Sequence, residues 1–116
     1  MGKSILRDKS YGFAILIVRL YQYLQYEKKE YSLGKQLLRS GTAIGALIRE
    51  AEFAQSRKDF INKMSIALKE ANETLYWLDL LKDTDYIDKK IFDEYSKTNK
   101  ELVAMLVSTI KTSKGN

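Results

Sequence analysis

Residues 37–56 read LLRSGTAIGALIREAEFAQS. The aliphatic positions recur at helical spacing, yet Gly41 and Gly45 stand four apart inside the run. A glycine in a helix interior costs roughly 1 kcal/mol relative to alanine. Glycines at i and i+4 also let a second helix backbone approach closely, and the dispersion gained there offsets the propensity cost. The stretch is therefore expected to be a helix with a close-packing seam at Gly41 and Gly45. The seam's partner is either a helix of the same bundle or one of a neighbouring copy.

Outward from this stretch the apolar residues keep a period near 3.6. A first helix is expected from about Ser10 to Glu30, with Phe13, Ile17, Leu20, Tyr21 and Leu24 on one face. KKEYSLGK breaks the pattern, and Ser32 is the expected N-cap of a second helix, which aligns Leu33, Leu37, Ile44, Ile48 and Ala51. Ser56 followed by Asp59 has the form of a capping box and opens a third helix, with Phe60, Met64, Ala67, Leu68, Ala71, Leu75 and Leu78 as its core stripe. KDTDYIDKK is the clearest turn. There Asp88 caps a fourth helix, Ile87 and Phe92 are spaced for a hydrophobic staple, and Ile91, Tyr95, Leu102, Leu106 and Ile110 follow on one side. Short connections between long helices favour antiparallel neighbours. The expected fold is all-α, an antiparallel up-down-up-down four-helix bundle. It forms one domain over residues 1–116, with an ordered core of about 10–112.

Composition agrees. The 116 residues include no proline, 30% charged and 45% apolar side chains, as expected of one globular domain that buries its own core. The absence of cysteine and histidine removes disulfides, zinc fingers, Cys or His nucleophiles and most transition-metal sites. It also fits a cytoplasmic location. Arg19 interrupts the apolar N-terminal stretch and no small-residue cleavage site follows, so neither a signal peptide nor a membrane span is expected.

Some apolar residues fall away from the core stripes when each position advances about 100°. Ile66, Trp77 and Leu80 share the side of the third helix opposite Met64 and Leu75. Ile15 and Tyr26 lie opposite Ile17, and Phe53 lies roughly opposite Ile44. Monomers rarely leave such patches bare. These six residues are the expected surface for self-association, with aromatic anchors of the kind interfaces favour; packing beneath loops or within a wide bundle is the alternative.

Catalytic chemistry is hard to assemble from what remains. Glu70/Glu73 and Glu50/Glu52 are paired carboxylates, but the di-metal helical sites that use such pairs set a histidine beside them. Glu70 and Glu73 project from the apolar stripe and suit ion pairs with Arg39 or Arg49. No GxxxxGK[ST] or GxSxG occurs, and Gly41–Gly45 lies within a helix and is no phosphate loop. The chain is expected to be no enzyme, with no cofactor, no metal and no small-molecule substrate.

Charge leaves room for one class of partner. Twenty basic residues stand against 15 acidic ones, a net +5. Residues 1–30 carry six basic and three acidic side chains, whereas residues 57–84 balance at five and five. RNA or DNA contact through this surface would be phosphate-directed and salt-sensitive. The candidate residues are Arg7, Lys9, Arg19, Lys28 and Lys29 of the most positive segment, with Arg57 and Lys58 at the start of the third helix.

One order of residues is specific. Arg39, Ser40 and Ile44 are followed by Glu50-Ala51, then Ser56, Asp59 and Phe60, then Ile66-Ala67 and Glu70-Ala71. Over about residues 11–110 the chain closely resembles the small bacterial four-helix-bundle proteins known as 23S rRNA intervening-sequence proteins, also labelled ribosomal-protein-like. Two positions depart from that pattern: Ala43 and Leu47 stand where the family usually has serine and asparagine. The resemblance implies a bundle of the kind encoded within insertions in 23S rRNA genes, many of whose members have no established activity. Related accessory proteins of diversity-generating retroelements form pentameric barrels that bind a reverse transcriptase and nucleic acid. A homo-pentamer with a basic surface is what that analogy implies. The rival expectation is a protein–protein adaptor, such as a reverse-transcriptase partner, whose basic charge is incidental.

Overall fold

The computed structural model describes residues 2–115. Its elements are α1 (Gly2–Tyr26), α2 (Ser32–Glu52), α3 (Arg57–Asp83) and α4 (Lys89–Ser113). Cross-helix contacts fix their directions. Ser10 meets Gly45 while Tyr21 meets Gly34, so α1 and α2 run antiparallel. Arg39 engages Glu70 and Glu73 while Glu50 engages Lys63, which reverses α3 against α2. Lys9 pairs with Glu101 at 2.7 Å, and the Tyr95 hydroxyl donates to the Leu16 carbonyl at 2.9 Å, which reverses α4 against α1. The result is an up-down-up-down bundle measuring 45 × 21 × 20 Å.

The expected core stripes meet along its axis. Phe13, Ile17, Leu20, Leu24, Leu37, Ile44, Ile48, Met64, Ala71, Leu78, Leu102 and Leu106 are all buried. The first helix starts earlier than the sequence suggested, at Gly2 instead of Ser10. Leu6 is buried and extends the stripe, and the Ser10 hydroxyl is satisfied inside the helix by the Arg7 carbonyl at 3.0 Å. It ends at Tyr26, because the chain turns through Lys29, whose φ of 55° is left-handed. At the same turn Glu30 N–H reaches back to the Leu24 carbonyl.

Ser32 does not cap α2; it lies inside the helix. Glu30 does the work instead, its carboxylate accepting from the N–H groups of Ser32, Leu33 and Gly34 at 3.2, 3.1 and 2.8 Å. A carboxylate there also complements the positive end of the helix dipole. The other two caps are as read. Ser56 Oγ accepts from Asp59 N–H at 3.0 Å, and Asp88 Oδ1 accepts from Ile91 N–H at 2.8 Å. Ile87 is buried, and Phe92 packs against the core.

The glycine seam faces inward. A Cβ at Gly41 would lie 2.8 Å from Ile17, and one at Gly45 would lie 3.4 Å from the Ser10 carbonyl oxygen. The seam's partner is therefore α1 of the same bundle. Polar residues also enter the core. The Thr74 hydroxyl donates to the Glu70 carbonyl at 2.8 Å and lies 3.0 Å from Ser40 Oγ on α2. Asn99 is fully buried on α4, and neither of its side-chain polar atoms has a hydrogen-bond partner.

Candidate functional site

The seven basic residues singled out in the sequence do not form one surface. Arg7, Lys9, Arg57 and Lys58 lie toward the end of the bundle where α1 and α3 begin, because antiparallel packing brings those starts beside the ends of α2 and α4. Lys28 and Lys29 lie at the opposite end, in the α1–α2 connection, and Arg19 is exposed between the two. Two of the four at the first end are engaged: Arg7 reaches Glu52 at 3.6 Å and Asp8 at 3.8 Å, and Lys9 holds Glu101. Arg57 and Lys58 are exposed, and among the described residues neither has an acidic partner within ion-pair distance.

Charge is segregated between the two ends of the bundle. The half made of residues 5–14, 42–69 and 101–115 carries nine basic side chains (Arg7, Lys9, Arg49, Arg57, Lys58, Lys63, Lys69, Lys111, Lys114) against five acidic ones (Asp8, Glu50, Glu52, Asp59, Glu101). The half made of residues 15–41 and 70–100 carries ten basic against ten acidic. The molecule is a rod with a basic end and a neutral end. Lys111 and Lys114 join the basic end only because α4 finishes where α3 starts.

Aromatic rings are part of the same end. Phe53, immediately after α2, is 84% exposed, more than any other large apolar residue described. Tyr11 is 55% exposed, and the Arg49 guanidinium sits 5.1 Å from its ring centroid. Beside the Tyr11–Arg49 pair, Ala14, Thr42, Gly45 and Ala46 floor a shallow groove along the α1–α2 seam.

The six apolar residues expected to form one association surface are dispersed. Ile15 and Tyr26 are exposed on the outer face of α1, where Tyr11 and Val18 join them. Phe53 stands apart at the basic end. Ile66, Trp77 and Leu80 are half-buried, which corrects the expectation that a monomer leaves them bare. The reason is that α3 packs between α2 and α4 and so buries a wider arc than a one-sided helix. Trp77 packs against the core, and its indole N–H donates to Glu73 at 3.0 Å.

The paired carboxylates are held by cations. Arg39 engages both Glu70, at 3.5 Å, and Glu73, while Glu50 pairs with Lys63 and Glu52 with Arg7. The Trp77 indole N–H, reinforced by Arg39, holds the Glu73 carboxyl below its ordinary value. A carboxylate kept ionised in this way is a poor proton donor at neutral pH. Among the described residues no group of three or more acids is placed to hold a metal ion, and no helix is long and apolar enough to cross a membrane.

Residues 3–108 match the sequence model of the family described as 23S rRNA-intervening sequence protein. The chain belongs to that family. Its fold is also that of a crystal structure described as a protein of unknown function from the S23 ribosomal protein family of Bacteroides thetaiotaomicron. The two superpose with a TM-score of 0.95 at 54% identity, over 96% of this chain and 99% of that one. No curated protein sequence matches. As a 23S rRNA-intervening sequence protein, the chain thus shares its whole four-helix frame with a solved structure, and the frame sets the level of every charge along the rod.

Proposed function

We propose that this chain is a non-enzymatic, self-associating helical bundle that binds RNA or DNA through its basic end. The observation that carries the reading is the charge segregation. Nine basic side chains stand against five acidic ones in one half of the rod, while the other half is neutral. Such a concentrated field attracts a phosphate backbone and releases its counterions. Arg57 and Lys58, exposed and without acidic partners among the described residues, are the residues best able to replace those counterions. The family's name ties it to rRNA, which is consistent with an RNA partner.

Fluorescence anisotropy with a labelled structured RNA at low and moderate salt tests this. Binding is expected at low salt, with a steep loss of affinity as salt rises and a further loss in the Arg57→Ala/Lys58→Ala variant. No binding at low salt would leave the protein-adaptor reading, with a partner such as a reverse transcriptase.

Self-association is supported by a separate observation. Tyr11, Ile15, Val18 and Tyr26 form an exposed apolar stripe on α1, at 55, 38, 37 and 66% exposure, and the fold itself does not cover it. Sedimentation of the wild type should give an oligomer, a pentamer if the retroelement analogy holds, and Ile15→Asp/Val18→Asp should shift it toward monomer. A monomeric wild type at micromolar concentration refutes this part.

A further inference from the structure

We infer that the basic end selects unpaired nucleobases, with Phe53 as the platform on which a base stacks; this deepens the nucleic-acid reading above and rests on it. A phenyl ring left in water forgoes the stabilisation of burial, and Phe53 is the most exposed large apolar residue described, at 84%. It is not on a loose segment. Phe53 N–H donates to the Glu50 carbonyl and Ala54 N–H to the Ala51 carbonyl, each at 3.1 Å. Two residues on, Gln55 N–H donates to Asp59 Oδ2 at 3.3 Å and Ser56 caps α3. The ring is thus presented from a short turn hydrogen-bonded at both sides.

Its surroundings choose the occupant. Arg57 and Lys58 follow four and five residues later, and the whole end is net positive. A purely apolar partner gains nothing from that field, whereas a single strand offers both complements. Its phosphates satisfy the cations, and its open base faces satisfy the ring. A duplex supplies the phosphates alone, because its bases are already stacked. Phe53 is therefore a determinant of single-strand preference, separate from the charge that sets overall affinity.

Anisotropy with a labelled oligouridine of roughly 12 nucleotides and an RNA duplex of equal length tests this at low salt. The wild type should bind the single strand more tightly. Phe53→Ala should weaken single-strand binding by about five- to hundredfold, the range that one aromatic–base stack gives, with duplex affinity unchanged. Phe53→Trp should retain it. Circular dichroism should show unchanged helicity in both variants. Equal losses on strand and duplex, or no loss on either, overturn the inference while leaving phosphate-directed binding intact. A Phe53→Ala variant that instead loses oligomer mass in sedimentation, or loses binding to anionic lipid vesicles with its single-strand affinity intact, also overturns it. A wild type that binds neither nucleic acid overturns both readings.

Discussion

Gly41 of α2 and Ile17 of α1 compete for one volume: a Cβ on Gly41 would lie 2.8 Å from Ile17 Cγ1 and 2.9 Å from Cγ2. Ile17 is fully buried and β-branched, so it cannot swing clear. Gly41→Ala should therefore lose stability despite gaining helix propensity. Overpacking costs about 1–3 kcal/mol, against a gain of roughly 1 kcal/mol. Gly12, also in a helix, has open space where a methyl group would stand, with nothing within 4 Å, so Gly12→Ala should gain about 1 kcal/mol. Thermal melts of the two variants should move in opposite directions. A Gly41→Ala protein melting above wild type would show that the seam is loose.

Asn99 gives a second stability test. Its amide is fully buried with neither polar atom paired, which costs about 1–3 kcal/mol relative to a satisfied or apolar side chain. Asn99→Leu is of similar size and carries no polar group. It should raise the urea midpoint with the slope unchanged. A lowered midpoint would mean that the amide has a role in this core that hydrogen-bond accounting does not capture.

The period-3.6 stripes made the core legible, since Ile17, Leu37, Ile44, Met64 and Leu102 were each marked by stripe neighbours three or four residues away. Ser56 and Asp88 were legible as caps for a similar reason, because the cap and its amide partner lie within one turn. Glu30 was hidden. It caps α2 from outside the helix and looks, in sequence, like one more charge in KKEYS. The start of α1 was hidden too, because Leu6 is the one buried apolar residue described in its first two turns. The outer arc of α3 misled because a helix with two neighbours buries both flanks. A stripe drawn for one face then reads Trp77 as exposed. The basic end was invisible for a topological reason: Lys111 and Arg57 are far apart in the chain and become neighbours in level only when four helices alternate direction.

Acid sensitivity should be partly traceable to Glu73. The Trp77 N–H and Arg39 lower its pKa in the folded protein, so its stabilising contribution is present above its ordinary pKa, near 4.5, and fades as pH falls through the lowered value. Wild type and Glu73→Gln should therefore differ most in melting temperature at neutral pH. The gap should narrow as pH falls below about 4.5. A gap that stays constant from neutral to acidic pH would remove Glu73 from the pH response.

Arg57 and Lys58 separate stability from binding most sharply. Both occupy the first turn of α3, where the N–H groups point outward and the helix dipole is positive. Cations at that position are opposed by the dipole, by about 0.3–1 kcal/mol each, and acids are favoured by a similar amount. Arg57→Glu/Lys58→Glu should consequently melt higher than wild type while losing RNA affinity and flattening the salt dependence, because fewer counterions are displaced on binding. Measured together, a higher melting temperature and weaker anisotropy binding would show that these cations are kept against the preference of the fold. If the variant melts higher but binds RNA as well as wild type, the phosphate contact lies elsewhere on the basic end, and Lys111 and Lys114 become the residues to change next.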